Sequence, residues 1–158
     1  MTESLDSTTR VVADADVLAA DLLVGGAARE ALDHVRTHSW MTLVASEPLL
    51  DDARAVIETL TDESLARDWH ECVKREVELV SHPPEDHPAL ASAYRGEAAH
   101  LLSFDDSLTG ARANVTVNAR LALSIRSPDA FARLFDAESV YESIYEEPYP
   151  GPDVELDG

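Results

Sequence analysis

Lysine is almost absent from this sequence, since Lys74 is the sole lysine among its 12 basic residues. Cysteine is equally scarce: Cys72 stands alone, which excludes an intramolecular disulfide and a zinc site built on a cysteine pair. No apolar run reaches the roughly 20 residues that a membrane helix needs, and the polar start MTESLDSTTR lacks the apolar centre of a signal peptide. These absences predict a cytoplasmic protein that does not enter a membrane.

Acidic residues are in large excess. The chain of 158 residues has 31 acidic side chains, and its formal net charge is -19. Such a charge destabilises a compact chain through self-repulsion unless dissolved ions screen it, so we expect a protein adapted to a salt-rich solvent, as in an extreme halophile. The other interpretation is an acidic chain that binds a basic partner or mimics nucleic acid. It explains the pattern less well, because the acids are spread along the whole sequence.

Short apolar runs alternate with helical patterns along the chain. The apolar runs predict four strands, at 11–15, 41–46, 100–104 and 121–125. The helical patterns cover 18–38 with a break at Gly25 and Gly26, then 49–60, 62–79, 86–96 and 128–135. This alternation predicts a three-layer α/β/α fold around a central, mostly parallel sheet of four or five strands. We predict a polar end at 1–9, one domain at 10–136, and a C-terminal helix with an acidic, flexible tail at 137–158.

Carboxylates follow the predicted strands. Asp14 and Asp16 end the first strand and Asp105 ends the third, while Asp86 opens a helix and Asp52 lies one turn into another. Ligands of parallel sheets bind at the carboxyl ends of the strands, where these side chains would converge. A cluster of carboxylates needs compensating positive charge, and hard oxygen ligands suit Mg²⁺ or Mn²⁺. The competing interpretation is chance placement in an acid-rich chain, with Asp86 as a helix cap.

Five segments follow one another along the chain in this order: VVADADVL, SEPLLDDARAVI, DHPALASA, HLLSFDDSL and LSIRSPDAFARLF. With these segments, residues 10–135 resemble a PIN-domain nuclease of the haloarchaeal type. The resemblance implies catalytic acids at Asp14, Asp52, Asp86 and Asp105, with Asp14, Asp86 and Asp105 binding the metal and Asp16 and Ser103 supporting them. Ala15 and Phe104 depart from the family pattern. Glu47 is the alternative to Asp52 as second acid.

The resemblance also implies an activity, namely Mg²⁺- or Mn²⁺-dependent cleavage of phosphodiester bonds in single-stranded RNA. The expected partners are RNA, an antitoxin protein and a second copy of the chain, and the expected role is that of a toxin or of an RNA-processing enzyme. Arg112, Arg120 and Arg126 are the predicted contacts to the RNA backbone, since arginine binds phosphate through two hydrogen bonds. The alternatives are a PIN-like module that binds RNA or protein without cutting, and a nuclease that acts on DNA.

Overall fold

The centre of the structure is one parallel sheet. This computed structural model describes residues 7–105, 108 and 123–156. Its strands are β1 (Arg10–Ala13), β2 (Thr42–Ser46), β3 (Glu78–Val80), β4 (His100–Leu102) and β5 (Ser124–Arg126), in the spatial order β3-β2-β1-β4-β5. All neighbouring strands pair in parallel. The predicted three-layer α/β fold with a parallel sheet is therefore confirmed, and the described residues contribute five strands to the sheet.

Helices cover the sheet and connect the successive strands from β1 to β4. They are α1 (Ala15–Leu23), α2 (Gly26–Arg36), α3 (Glu47–Leu60), α4 (Glu63–Glu76), α5 (Pro88–Arg95), α6 (Pro128–Leu134) and α7 (Ala137–Tyr145), with a 3₁₀ turn at Ser7–Thr9. The break between α1 and α2 occurs at Gly25, whose φ of 85° suits glycine. Asp62 caps α4 as predicted, because its carboxylate accepts a hydrogen bond from the backbone N–H of Leu65. Within the described part of the chain, no helix has the length and apolar character to cross a membrane.

The predicted helix through Leu79 is wrong at its end. Helix α4 stops at Glu76, and after Val77 the chain forms β3 beside β2, with Glu78 opposite Val44 and Val80 opposite Ser46. Pairing with β2 provides hydrogen-bond partners for the backbone of β3. The local spacing of apolar residues, which favoured a helix, contains no information about this pairing. The first strand is also shorter than predicted, because the chain turns into α1 after Ala13.

The core surrounds β1, the middle strand of the sheet. Val11 and Val12 are fully buried, and Val12 pairs with Val44 on one side and with Leu101 on the other. Complete burial of a valine or leucine side chain contributes about 1.5–3 kcal/mol. Phe131 of α6 is fully buried in the same cluster. The carboxyl end of β1 is thus held firmly between β2 and β4, and this end carries Asp14.

Arg10 places a positive charge inside this core, with an exposure of 3%. Its Nε donates to the carbonyl of Gly96 at 2.6 Å, and its two terminal nitrogens donate to the two carboxylate oxygens of Glu78. Arg10 therefore joins β1 to β3 and to the end of α5.

The C-terminal segment packs against the loop after α2. The hydroxyl of Tyr149 lies 2.5 Å from Nε2 of His38, and the carboxylate of Asp153 accepts hydrogen bonds from the backbone N–H and the hydroxyl of Ser39. The domain limits and the flexibility of the tail stay predictions.

His100, at the start of β4, makes the stability depend on pH. Its ring lies 5.3 Å from that of Phe131 between centroids. Burial lowers the pKa of His100 below 6.5, and the positive charge of Arg126 lowers it further. Because the unfolded chain then binds a proton more readily than the folded one, this contribution is complete above a pH of about 6.5 and is lost as the pH falls towards the folded pKa.

We therefore expect the free energy of unfolding to fall on acidification and to fall less steeply in His100→Gln. Denaturant unfolding at a series of pH values measures both slopes. Leu60→Gln, which introduces the same side chain at an exposed position without a titratable group, should keep the wild-type slope. Equal slopes for His100→Gln and the wild type would contradict the prediction.

Candidate functional site

Asp14 lies at the carboxyl end of β1 and is the N-cap of α1. Its Oδ1 accepts a hydrogen bond from the backbone N–H of Ala15 at 2.8 Å, and its own N–H donates to the carbonyl of Leu102 at 2.8 Å. The first bond fixes the side chain against α1, and the second fixes the backbone against β4. Asp14 is only half-buried. Its second carboxylate oxygen, Oδ2, therefore lies at the carboxyl edge of the sheet, where β1 and β4 end.

Ser103 connects this carboxylate to Asp105. The buried Ser103 hydroxyl donates to Oδ2 of Asp14 at 2.9 Å and accepts the backbone N–H of Asp105 at 3.0 Å. The N–H of Ser103 donates to the carbonyl of Arg126 at 2.9 Å, which ties the group to the end of β5. We name Asp14, Ser103 and Asp105 the acid cluster. Three residues that the sequence predicted for one site are thus held together by hydrogen bonds.

The other predicted acids lie on nearby elements with exposed side chains. Asp16 is in the first turn of α1, Asp52 is in α3, and Asp86 is in the turn before α5. The expectation that Asp86 opens this helix is wrong by one residue: Nδ1 of His87 accepts the N–H of Ala89 at 3.2 Å, so His87 is the N-cap. Participation of these three acids in the acid cluster stays a prediction.

The structure describes one of the three arginines that were predicted to contact RNA. Arg112 and Arg120 lie outside the described residues. Arg126 is half-buried at the end of β5, and its backbone carbonyl bonds to Ser103 of the acid cluster. The backbone of Arg126 therefore lies beside the acid cluster.

A second group of charged side chains lies between α3 and α4. Glu47, Asp51 and His70 each offer a ligand atom, and these atoms lie within 4.8 Å of one another, so the group could hold a metal ion. Nζ of Lys74 contacts Oε2 of Glu47 at 2.9 Å. The sequence patterns did not predict this group. His70 lies four residues after Ala66, on the buried side of α4. This helical spacing was the feature of the sequence that could have indicated a buried histidine.

A cleft of about 920 Å³ lies at the other edge of the sheet, near the amino ends of β2 and β3. Its lining includes Arg36, Thr42 and Glu78, together with Val154 of the C-terminal segment. The acid cluster lies at the carboxyl edge instead. The acid cluster is thus defined by the hydrogen bonds of Ser103 and does not line this cleft.

Comparison with known proteins assigns the chain to a family. The family described as "Family of unknown function (DUF7384)" matches residues 5–156, so the chain belongs to this family. Neither the curated proteins nor the solved structures contain a match.

Proposed function

We propose that this protein is a metal-dependent ribonuclease that cleaves phosphodiester bonds of single-stranded RNA. The observation that carries the proposal is that the hydroxyl of Ser103 binds both the carboxylate of Asp14 and the backbone N–H of Asp105 at the carboxyl edge of the sheet. In parallel α/β sheets this edge is the usual place for ligands. The resemblance to PIN-domain nucleases, found from the sequence, assigns the same residues to a metal site.

The donor set of the acid cluster suits a hard divalent cation. Carboxylate oxygens are the ligands that Mg²⁺ and Mn²⁺ prefer, and Asp14 and Asp105 supply them from two neighbouring strands. A bound Mg²⁺ or Mn²⁺ would lower the pKa of a water molecule and offset the charge that develops on the phosphate. Ser103 orients the carboxylate of Asp14 through its hydrogen bond, as residues around metal ligands commonly do.

The remaining predicted residues take supporting roles in this proposal. Asp86 is a further ligand, direct or through water, Asp52 is a ligand or orients a water molecule, and Asp16 supports them. We favour Asp52 over Glu47 as the second acid, because the carboxylate of Glu47 faces His70 and Lys74 of α4. Arg126 contacts the RNA backbone, as do Arg112 and Arg120.

The biological role within this activity is either that of a toxin, paired with an antitoxin protein, or that of an RNA-processing enzyme. The net charge of -19 repels RNA in dilute buffer, so the reaction belongs in concentrated salt, which screens this repulsion. An antitoxin-like reading frame beside the gene would favour the first role.

A cleavage assay tests the proposal. Purified, chelator-treated protein is incubated in molar potassium chloride with end-labelled single-stranded RNA or DNA, and with Mn²⁺, Mg²⁺ or chelator alone. We expect cleavage of RNA with either ion and no cleavage with chelator. Cleavage of DNA in preference to RNA would assign a DNA-directed nuclease. The absence of cleavage of both substrates would contradict the proposal and favour a non-cutting binding module.

A further inference from the structure

We propose that Glu47, Asp51 and His70 form a second metal site, between α3 and α4, which binds zinc. We name it the α3–α4 site. Glu47 and Asp51 are one helical turn apart at the start of α3, and His70 faces them from α4. The proposal does not depend on the acid cluster, because its three ligands are separate from the residues of that cluster.

The imidazole of His70 is the observation that distinguishes this group from an ordinary cluster of surface acids. His70 is 8% exposed, and its Nε2 has no hydrogen-bond partner within the part of the chain that the structure describes. This nitrogen lies 3.4 Å from Oδ1 of Asp51 and 3.8 Å from Oε1 of Glu47. A buried polar atom without a partner costs free energy, which a bound cation in front of it would recover.

The spacing of these atoms fits tetrahedral zinc. Zinc bonds of about 2.0–2.2 Å to imidazole nitrogen and carboxylate oxygen place neighbouring ligand atoms of a tetrahedron about 3.4 Å apart. The distances from Nε2 of His70 to Asp51 and Glu47 are 3.4 and 3.8 Å. The two helices therefore already hold the imidazole at nearly the separation from each carboxylate that a zinc ion requires.

The chemistry of the donors favours zinc over magnesium. Mg²⁺ binds oxygen ligands almost exclusively, whereas Zn²⁺ accepts both imidazole nitrogen and carboxylate oxygen as ligands. The carboxylate side chains are 48% exposed in Glu47 and 65% exposed in Asp51, so water can reach the site and occupy a fourth position. Zinc in this site would join the start of α3 to the middle of α4.

Lys74 positions one of the ligands. Its ammonium contacts Oε2 of Glu47, while Oε1 of the same carboxylate faces His70. A partner of this kind fixes the orientation of a metal ligand and leaves one oxygen directed at the ion. Lys74 therefore supports metal binding by Glu47 and does not compete for the oxygen that faces His70.

Calorimetric titration of chelator-treated protein with zinc chloride, at fixed pH and salt, tests the site. We expect one zinc ion to bind per chain at this site, to raise the melting temperature, and to remain bound in excess Mg²⁺. His70→Gln and Asp51→Asn should each weaken binding by at least about tenfold, since removal of a ligand should exceed the usual effect of losing a supporting residue. The exposed controls His87→Asn and Glu58→Gln should bind zinc like the wild type.

Asp14→Asn separates this site from the acid cluster. We expect it to bind zinc as the wild type does, whereas His70→Gln should keep any Mn²⁺-dependent RNA cleavage. Absence of zinc binding, or equal affinity in His70→Gln, Asp51→Asn and the controls, would overturn the proposal. Loss of zinc binding in Asp14→Asn alone would also overturn it, by assigning the ion to the acid cluster. If His70→Gln does not fold, the zinc affinity of the exposed variant Asp51→Asn decides whether the α3–α4 site binds zinc.

Discussion

Asp14→Asn is expected to lower the rate of RNA cleavage by at least about 100-fold, since it removes a charged ligand from the proposed metal site. The carboxylate of Asp14 is fixed on both sides, by the N–H of Ala15 and by the hydroxyl of Ser103. A neutral amide in the same position would bind a divalent cation far more weakly. Initial rates of cleavage with Mn²⁺ in molar salt measure the effect.

The fold should tolerate this substitution. Asparagine caps helices about as well as aspartate, so the hydrogen bond from Ala15 to the side chain is kept. The hydroxyl of Ser103 can rotate, because it is able both to donate and to accept. We therefore expect far-ultraviolet circular dichroism and melting of metal-free Asp14→Asn to match the wild type, which assigns the loss of rate to the site.

Two further variants provide comparisons for the cleavage rate of Asp14→Asn. Ser103→Ala keeps both carboxylates but removes the hydroxyl that holds the side chain of Asp14 and the backbone of Asp105, so we expect a smaller loss of about tenfold in rate. Glu58→Gln removes one exposed charge from α3 and should cleave at the wild-type rate. If Asp14→Asn cleaved RNA as fast as Glu58→Gln, the acid cluster would not be the active site.

The sequence predicted the sheet well because its central strands are unmistakable. The run from Val11 to Ala13 and the run from Leu101 to Leu102 are buried on both faces and contain no polar residue. Strand β3 was missed because its three residues follow a helix without a turn signal. It is defined by pairing with β2 and by the contact of Glu78 with Arg10, and both depend on residues far away in the chain.

The acid cluster was predictable because strand ends of neighbouring parallel strands meet at one edge. Asp14 and Asp105 each follow an apolar strand, and this local pattern suffices to place them together. The α3–α4 site was not predictable in this way. His70 lies on the buried side of its helix, where a histidine resembles an ordinary core residue, and only the packing of α4 against α3 brings it to Asp51.

Glu78→Gln is expected to destabilise the protein by about 2 kcal/mol, since it leaves the charge of Arg10 without its ionic partner. Removing one partner of a fully buried ion pair costs about 3–5 kcal/mol. The cost is smaller here because the Glu78 side chain is 47% exposed and water screens its interaction. Denaturant unfolding in molar salt, where distant charges are screened, gives the change in free energy.

Glu76→Gln is the matched control, because it removes the same exposed charge two residues away at the end of α4. A double-mutant cycle with Arg10→Met then isolates the pair. Arg10→Met abolishes the hydrogen bond to Gly96 in both backgrounds, so that loss cancels in the coupling energy. Once the buried charge is gone, Glu78→Gln should cost almost nothing, with a coupling energy between about 0.5 and 3 kcal/mol. If Glu78→Gln unfolded like Glu76→Gln, the contact between β1 and β3 would not stabilise the edge of the sheet.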